Sequence, residues 1–228
     1  MMKNLKTFYW FLLDLHIPAP KWIFRPLWVA VWALRHGYYF LARVFYAEPL
    51  FKSACRSYGR NLRTGPRLHW IQGSGDLIIG DDVSVDGLCN FFFASKYTSR
   101  PVLSIGNHTG IGHNCSFVVG REIRIGDHCR FGSQIVLFDS PGHPLDPDLR
   151  RAGAPANPED VRPIVVGNNV WIGTGAVIFP GTSIGDNSVI ATGSVVMSNV
   201  PASVVVAGNP ARQILKIGAQ PNSEKSSS

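Results

Sequence analysis

Cysteine is scarce in this 228-residue chain: there are four, Cys55, Cys89, Cys115 and Cys129, with no CxxC pair among them. Such spacing builds neither a disulfide framework nor a thiolate zinc site, and it points to a reducing compartment. Acidic residues are nearly missing from one region: residues 1–67 hold 11 Lys/Arg against only Asp14 and Glu48, while the other 161 residues carry 11 basic and 13 acidic groups. The formal charge of +7 is therefore a regional excess, which argues against a uniformly basic, nucleic-acid-binding surface. Long apolar runs are lacking there too. Phe8 to Leu13 is cut short by Asp14 and followed by Ile17-Pro18-Ala19-Pro20, unlike a secretion signal with its small-residue cleavage site. Pro26 to Leu34 is uncharged but far below the roughly 18 residues a spanning helix needs.

What the N-terminal region does have is aromatics, 15 of the 25 in the chain by Tyr58, including Trp10, Trp22, Trp28 and Trp32. If Lys21 to Arg43 is one helix, Lys21, Arg25, Arg35, His36 and Arg43 share an arc of about 100°, and the remaining circumference is apolar. A basic stripe on an aromatic-rich helix fits a helix lying in the plane of an anionic membrane surface. That reading predicts a cytoplasmic protein, peripheral on the inner face of the membrane. The alternative is a helical cap on the domain that follows, and Gly37 offers a point at which the segment could turn back as a hairpin.

From Ile79 onward the sequence repeats with a period of six: an aliphatic residue, usually glycine next, two turn-forming residues, then a small one. Hexads start at Ile79, Val85 and Phe91, then Ile105, Ile111 and Phe117, then Ile125, Phe131 and Leu137, then Val166, Ile172 and Ile178, and last Ile184, Ile190 and Val196. Subtracting an 18-residue coil from the steps between these triplets leaves insertions of 8, 2 and 23 residues, around 94–102, at Gly120, and from about Asp139 to Arg162. The period predicts a mainly β fold, a parallel β-helix of about five coils with three short faces each, preceded by an α-helical N-terminal region. Asp81-Asp82, Asn168-Asn169 and Asp186-Asn187 fall at the bends, where Asx residues tolerate left-handed backbone. Cys89, Cys115 and Cys129 occupy the small-residue slot, as buried hydrophobes. The expected domains are 1–67, helical and basic; 68–217, the solenoid; and 218–228, a disordered polar tail.

Three segments make the pattern more specific: Gly142-His143-Pro144-Leu145-Asp146-Pro147, the run from Val166 through Trp171 to Phe179-Pro180-Gly181, and Gly208-Asn209-Pro210-Ala211-Arg212. In this order they resemble the hexapeptide-repeat acyltransferases, in particular the galactoside, maltose and polysaccharide O-acetyltransferase branch. The resemblance covers residues 72 to 217. It implies a left-handed β-helix, an exception to the usual crossover hand, a homotrimer, acetyl-CoA as acyl donor and a saccharide hydroxyl as acceptor.

Acyl transfer from a thioester to a hydroxyl needs that hydroxyl's proton removed, and imidazole, which titrates near neutrality, suits the task. The resemblance gives His143 this role; nothing in the hexad pattern requires a histidine there. Asp139 is the candidate to orient it, although Asp-Ser-Pro-Gly is also an ordinary turn. No Ser/His/Asp or Cys/His motif competes. By resemblance Thr174, Thr192 and Gly193 lie along the CoA arm, Arg212 and Lys216 meet its phosphates, and Trp171 lines the acceptor and thioester region unless it is only a corner aromatic. Asn114 is a candidate polar contact to the acceptor. Two departures stand out: Met197-Ser198 replaces the family's frequent Thr-Lys, and Val119-Gly120 stands where related enzymes place an acidic residue.

Two other readings remain at this point. One is a non-catalytic trimeric scaffold that kept only the solenoid. The other is a zinc site like that of the gamma-class carbonic anhydrases, built on His108 and His113 with His69 or His128 as third ligand.

Overall fold

The computed structural model describes residues 9–16 and 18–218, and these divide into two compact units between Leu41 and Ala42. The predicted tail, except Gly218, lies outside the described residues.

In the larger unit each hexad contributes one short strand, and strands one coil apart pair in parallel. The first face stacks Ser57–Tyr58, Asp76–Ile79, Val102–Ile105, Glu122–Ile125, Ile164–Val166 and Ser183–Ile184. The second stacks Arg63–Thr64, Ser84–Val85, Gly110–Ile111, Arg130–Phe131, Trp171–Ile172 and Val189–Ile190, and ends on a hairpin of Val204–Gly208 with Ala211–Lys216. The third stacks Trp70–Gly73, Asn90–Phe93, Ser116–Val119, Val136–Phe138, Val177–Ile178 and Val195–Val196. The predicted hexad starts align residue on residue: Ile79, Ile105, Ile125, Val166 and Ile184 form one inward column. Phe91 and Phe117 stack at 5.4 Å in another, with Leu137, Ile178 and Val196 beyond them.

The structure moves one boundary. Ser57–Tyr58, Arg63–Thr64 and Trp70–Gly73 form a complete first coil paired to the next, so the solenoid starts at Ser57 instead of residue 68 and has six coils. Above it, a π-helical turn, Arg43–Ala47, leads into a short helix, Glu48–Ala54, whose Phe51 is buried in the core and covers the open end. Arg43, assigned from sequence to the basic stripe, is instead ion-paired with Glu48 at 3.1 Å. In the smaller unit the helix Lys21–Ala42 (α1) runs unbroken through Pro26 and Gly37, and none of its residues is buried.

The bend between first and second faces explains the Gly-Asx signature. Asp81, Asn107, Asp127, Asn168 and Asp186 each accept, through Oδ1, the backbone N–H of the residue one coil earlier, at 2.6–2.9 Å. The residue after each is left-handed: Asp82, His108, His128, Asn169 and Asn187 have φ between 53° and 59°. Five repeats of one hydrogen bond fix the rise of this edge.

Candidate functional site

The bend between second and third faces carries the predicted donor strip. Gly175 N–H donates to Ser133 O and Gly193 N–H to Thr174 O, both at 2.9 Å, so residues 133, 174 and 192–193 lie one above another in successive coils. Asn114 sits on the same edge, exposed and left-handed, beside His113, whose Nδ1 is 2.9 Å from Ser133 Oγ. Below, Gly208 N–H reaches Ser194 Oγ at 3.3 Å, which sets the terminal hairpin under this column. Arg212 pairs with Ala207 beside that turn. Trp171, 58% exposed, stands on the second face itself, three residues before Thr174. Asn114, Thr174, Thr192, Gly193 and Arg212 therefore share one strip, with Trp171 on the face beside it.

Lys216 does not join them. It pairs with Val204 at the far end of the hairpin, four residues of extended chain from Arg212, or roughly 13 Å. The hairpin reverses direction, so two basic residues close in sequence reach opposite edges of the face.

The strip has room for an elongated ligand. Gly175 and Gly193 have φ of 71° and 69°, and a Cβ on either would meet no atom within 4 Å. The edge thus offers flat backbone and hydroxyl side chains with no bulk in front, as an extended amide-bearing arm requires. Gly175 was not singled out from sequence; its place in the Gly-Thr-Gly string is the signal that could have found it.

His143 lies on the third bend, in the 139–163 insertion that joins the third face to the first. It is exposed, and among the described residues no hydrogen bond or ion pair holds its imidazole. The loop is shaped by its neighbours. Asp146 caps a helical turn, Pro147–Arg151, by accepting from Asp148 and Leu149 N–H, while Arg150 Nη1 donates to Pro144 O and Leu145 O at 3.0 and 2.9 Å. The His-Pro-Leu-Asp-Pro string is thus a loop closed on itself, with Pro144 buried and His143 projecting.

Asp139 has a different task from the one expected. It is fully buried, and its carboxylate accepts the N–H groups of Gly120, Arg121 and Glu122. Burial pushes its pKa up, against the pull of those three donors. Its own N–H and O bond Val118 and Arg162, so it rivets the base of the insertion to the previous coil and does not orient His143.

The histidines of the zinc reading do not converge. His108 stacks on His128 at 4.8 Å on the Asx edge, and its Nδ1 lies 3.5 Å from Asp82. His113 sits on the next edge, across the Gly110–Ile111 strand. His69 packs between Phe51 and Phe91, its ring nitrogens without a partner, and desolvation drives its pKa down to about 4. Among the described residues no group of three or more His, Cys, Asp or Glu is placed to hold a metal.

The hexapeptide repeat of succinyl-transferase matches residues 163–198. Galactoside O-acetyltransferase of Escherichia coli K12 is 36% identical over 139 residues, 61% of this chain and 63% of that one. A Staphylococcus aureus MRSA252 protein, SAR2635, whose acetyltransferase assignment is provisional, is 34% identical over 140 residues, 56% of this chain and 67% of that one. Among solved structures, a galactoside acetyltransferase in complex with coenzyme A superposes with a TM-score of 0.51 at 32% identity, covering 66% of each chain. The chain spans about half to two thirds of the length of the curated relatives it matches. The solenoid is a left-handed β-helix. The chain belongs to the hexapeptide-repeat acetyltransferases, in the branch of the galactoside and maltose O-acetyltransferases.

Proposed function

We propose that this protein transfers an acetyl group from acetyl-CoA to a saccharide hydroxyl, with His143 as general base. The observation that carries the reading is the separation of two complementary elements: an exposed, unpartnered histidine on one edge, and an open strip of Asn114, Thr174, Gly175, Thr192, Gly193 and Arg212 on another. In the reaction His143 takes the acceptor's hydroxyl proton as the oxygen attacks the thioester carbonyl. The carbon–sulfur bond breaks, and the imidazolium returns its proton to the departing thiolate. Backbone N–H groups of the groove are the simplest donors to the oxyanion.

Within one chain the two edges are separated by the width of the third face, a strand and its flanks, or about 15 Å. That distance supports a homotrimer in which the loop of one copy closes over the strip of the next. The scaffold alternative has no use for an unpartnered His143 or an unobstructed glycine edge. The test is acetyl transfer to a panel of sugars by wild type and His143→Ala, with CoA binding followed in parallel. Loss of transfer by at least about 100-fold, with CoA affinity and oligomer size kept, is the expected result. Near-normal turnover would defeat the base assignment.

Attachment to an anionic membrane surface is the second part of the reading. No helix among the described residues is long and apolar enough to cross a membrane. Yet α1 exposes Trp22, Trp28, Trp32, Leu34, Tyr38 and Leu41 together, beside Lys21, Arg25 and Arg35. An aromatic, basic helix with no buried residue is suited to the lipid interface. Removal of residues 1–41 should release the protein from anionic liposomes and leave its melting temperature unchanged. Retained binding would exclude α1 as the anchor.

A further inference from the structure

Both large insertions leave the solenoid at the bend between third and first faces: 94–101 after Asn90–Phe93, and 139–163 after Val136–Phe138. Between them in the stack lies Gly120. A Cβ at Gly120 would come 2.8 Å from Val161 Cγ1, 3.0 Å from Ser140 Cβ and 3.1 Å from Tyr97 Cδ2. Those atoms come from the far end of the His143 insertion, from its near end and from the 94–101 insertion. The two loops therefore meet over one glycine, and the Asp139 carboxylate holds that glycine's N–H from beneath.

We propose that Tyr97 is a specificity-determining residue, the ring platform on which the acceptor pyranose lies, and that 94–101 forms the wall of the acceptor subsite opposite His143. This rests on the acetyltransferase reading and adds the residue that holds the sugar. Three features converge on it. Tyr97 is half-buried, with its ring Cδ2 seated beside Gly120. Its ring and Ser140 both touch the Gly120 position, so they lie within about 6 Å of each other, and His143 follows Ser140 by three residues, at most about 10 Å of chain. A sugar ring fits that interval. The space above residue 120 is bounded by Tyr97, Ser140 and Val161, a boundary that presents an aromatic group where the two loops meet. Lys96, exposed beside Tyr97, adds a donor for ring hydroxyls.

The experiment compares wild type, Tyr97→Phe and Tyr97→Ala on a panel of p-nitrophenyl glycopyranosides by two readouts. Steady-state kinetics gives KM for glycoside and for acetyl-CoA; saturation-transfer NMR without acetyl-CoA gives contact with the pyranose. Tyr97→Phe should stay near wild type. Tyr97→Ala should raise KM for the best glycoside at least tenfold, leave KM for acetyl-CoA within about twofold, and lose saturation transfer. Equal movement of both KM values, unchanged glycoside binding, or no saturation transfer to any glycoside in the wild type would each overturn the proposal. Glycoside contact that is lost in Tyr97→Ala, in a protein that neither binds CoA nor transfers acetyl, would support Tyr97 as a sugar contact and defeat the acetyltransferase reading alone.

Discussion

A methyl group at Gly126 would have no place to go: its carbon would lie 2.6 Å from Asn168 Oδ1 and 2.7 Å from Gly167 O, both fixed by the next coil. Gly126→Ala should therefore cost about 1–3 kcal/mol, read as a lower melting temperature, through overpacking against backbone that cannot retreat. Gly193→Ala is the informative contrast. Its Cβ meets nothing, so only the left-handed backbone penalty applies, about 1–2 kcal/mol, but the methyl stands in the proposed donor strip and should weaken CoA binding. Acidity acts through another residue. His69 in the folded protein titrates at about 4, against 6.5 for an ordinary imidazole, because its cage of Phe51 and Phe91 desolvates it. Between those values the unfolded chain holds the extra proton, so stability rises with pH across the interval and falls as pH drops through it, by roughly 3 kcal/mol at most. Denaturation midpoints at pH 4.5 and 7 should show this slope in wild type and a flatter one in His69→Phe. The motif around it singled out His143, whose role as base is the proposal made above; for Asp139 the motif could say less, because an aspartate accepting three backbone N–H groups and one orienting a base look the same until the chain has folded.

The first coil depends on a single aromatic. Phe51, 3% exposed, is the one buried side chain of its helix and contacts Phe91 at 5.6 Å. Phe51→Ala should cost about 3–5 kcal/mol and speed amide exchange in residues 57–73 before any other coil, since a solenoid frays from an uncovered end. Removing residues 1–41 should have no such effect. This distinction between cap and exposed helix was hidden in the sequence, where one aromatic, basic stretch runs through both. The five later coils were legible because each presents an aliphatic residue or phenylalanine at every sixth position. In the first, Tyr58, Thr64 and Ile71 take those places with spacings of six and seven, and two of the three are not aliphatic. The terminal hairpin was equally invisible to the period, so the resemblance that grouped Lys216 with Arg212 gave no sign that the chain reverses between them.

For the whole molecule, a site divided between two edges makes a prediction about mixtures. His143→Ala and Gly193→Trp should each be inactive alone, one lacking the base and the other the open strip. Refolded together, the two variants should regain activity if they mix in the proposed trimer, because some interfaces then unite an intact loop with an intact strip; no recovery would mean each chain completes its own site. The three edges also differ in what they can absorb. The Asx edge is bonded at every step, with no interval at which chain could be added without breaking the series. The edge bearing Tyr97 and His143 takes 8 and 23 extra residues with the strands on either side still in register. The architecture thus resembles a bound book, stitched along its spine and free at its leaves: loops can be exchanged at one margin, where the proposed acceptor subsite lies, while the binding that sets the spacing of every page stays untouched.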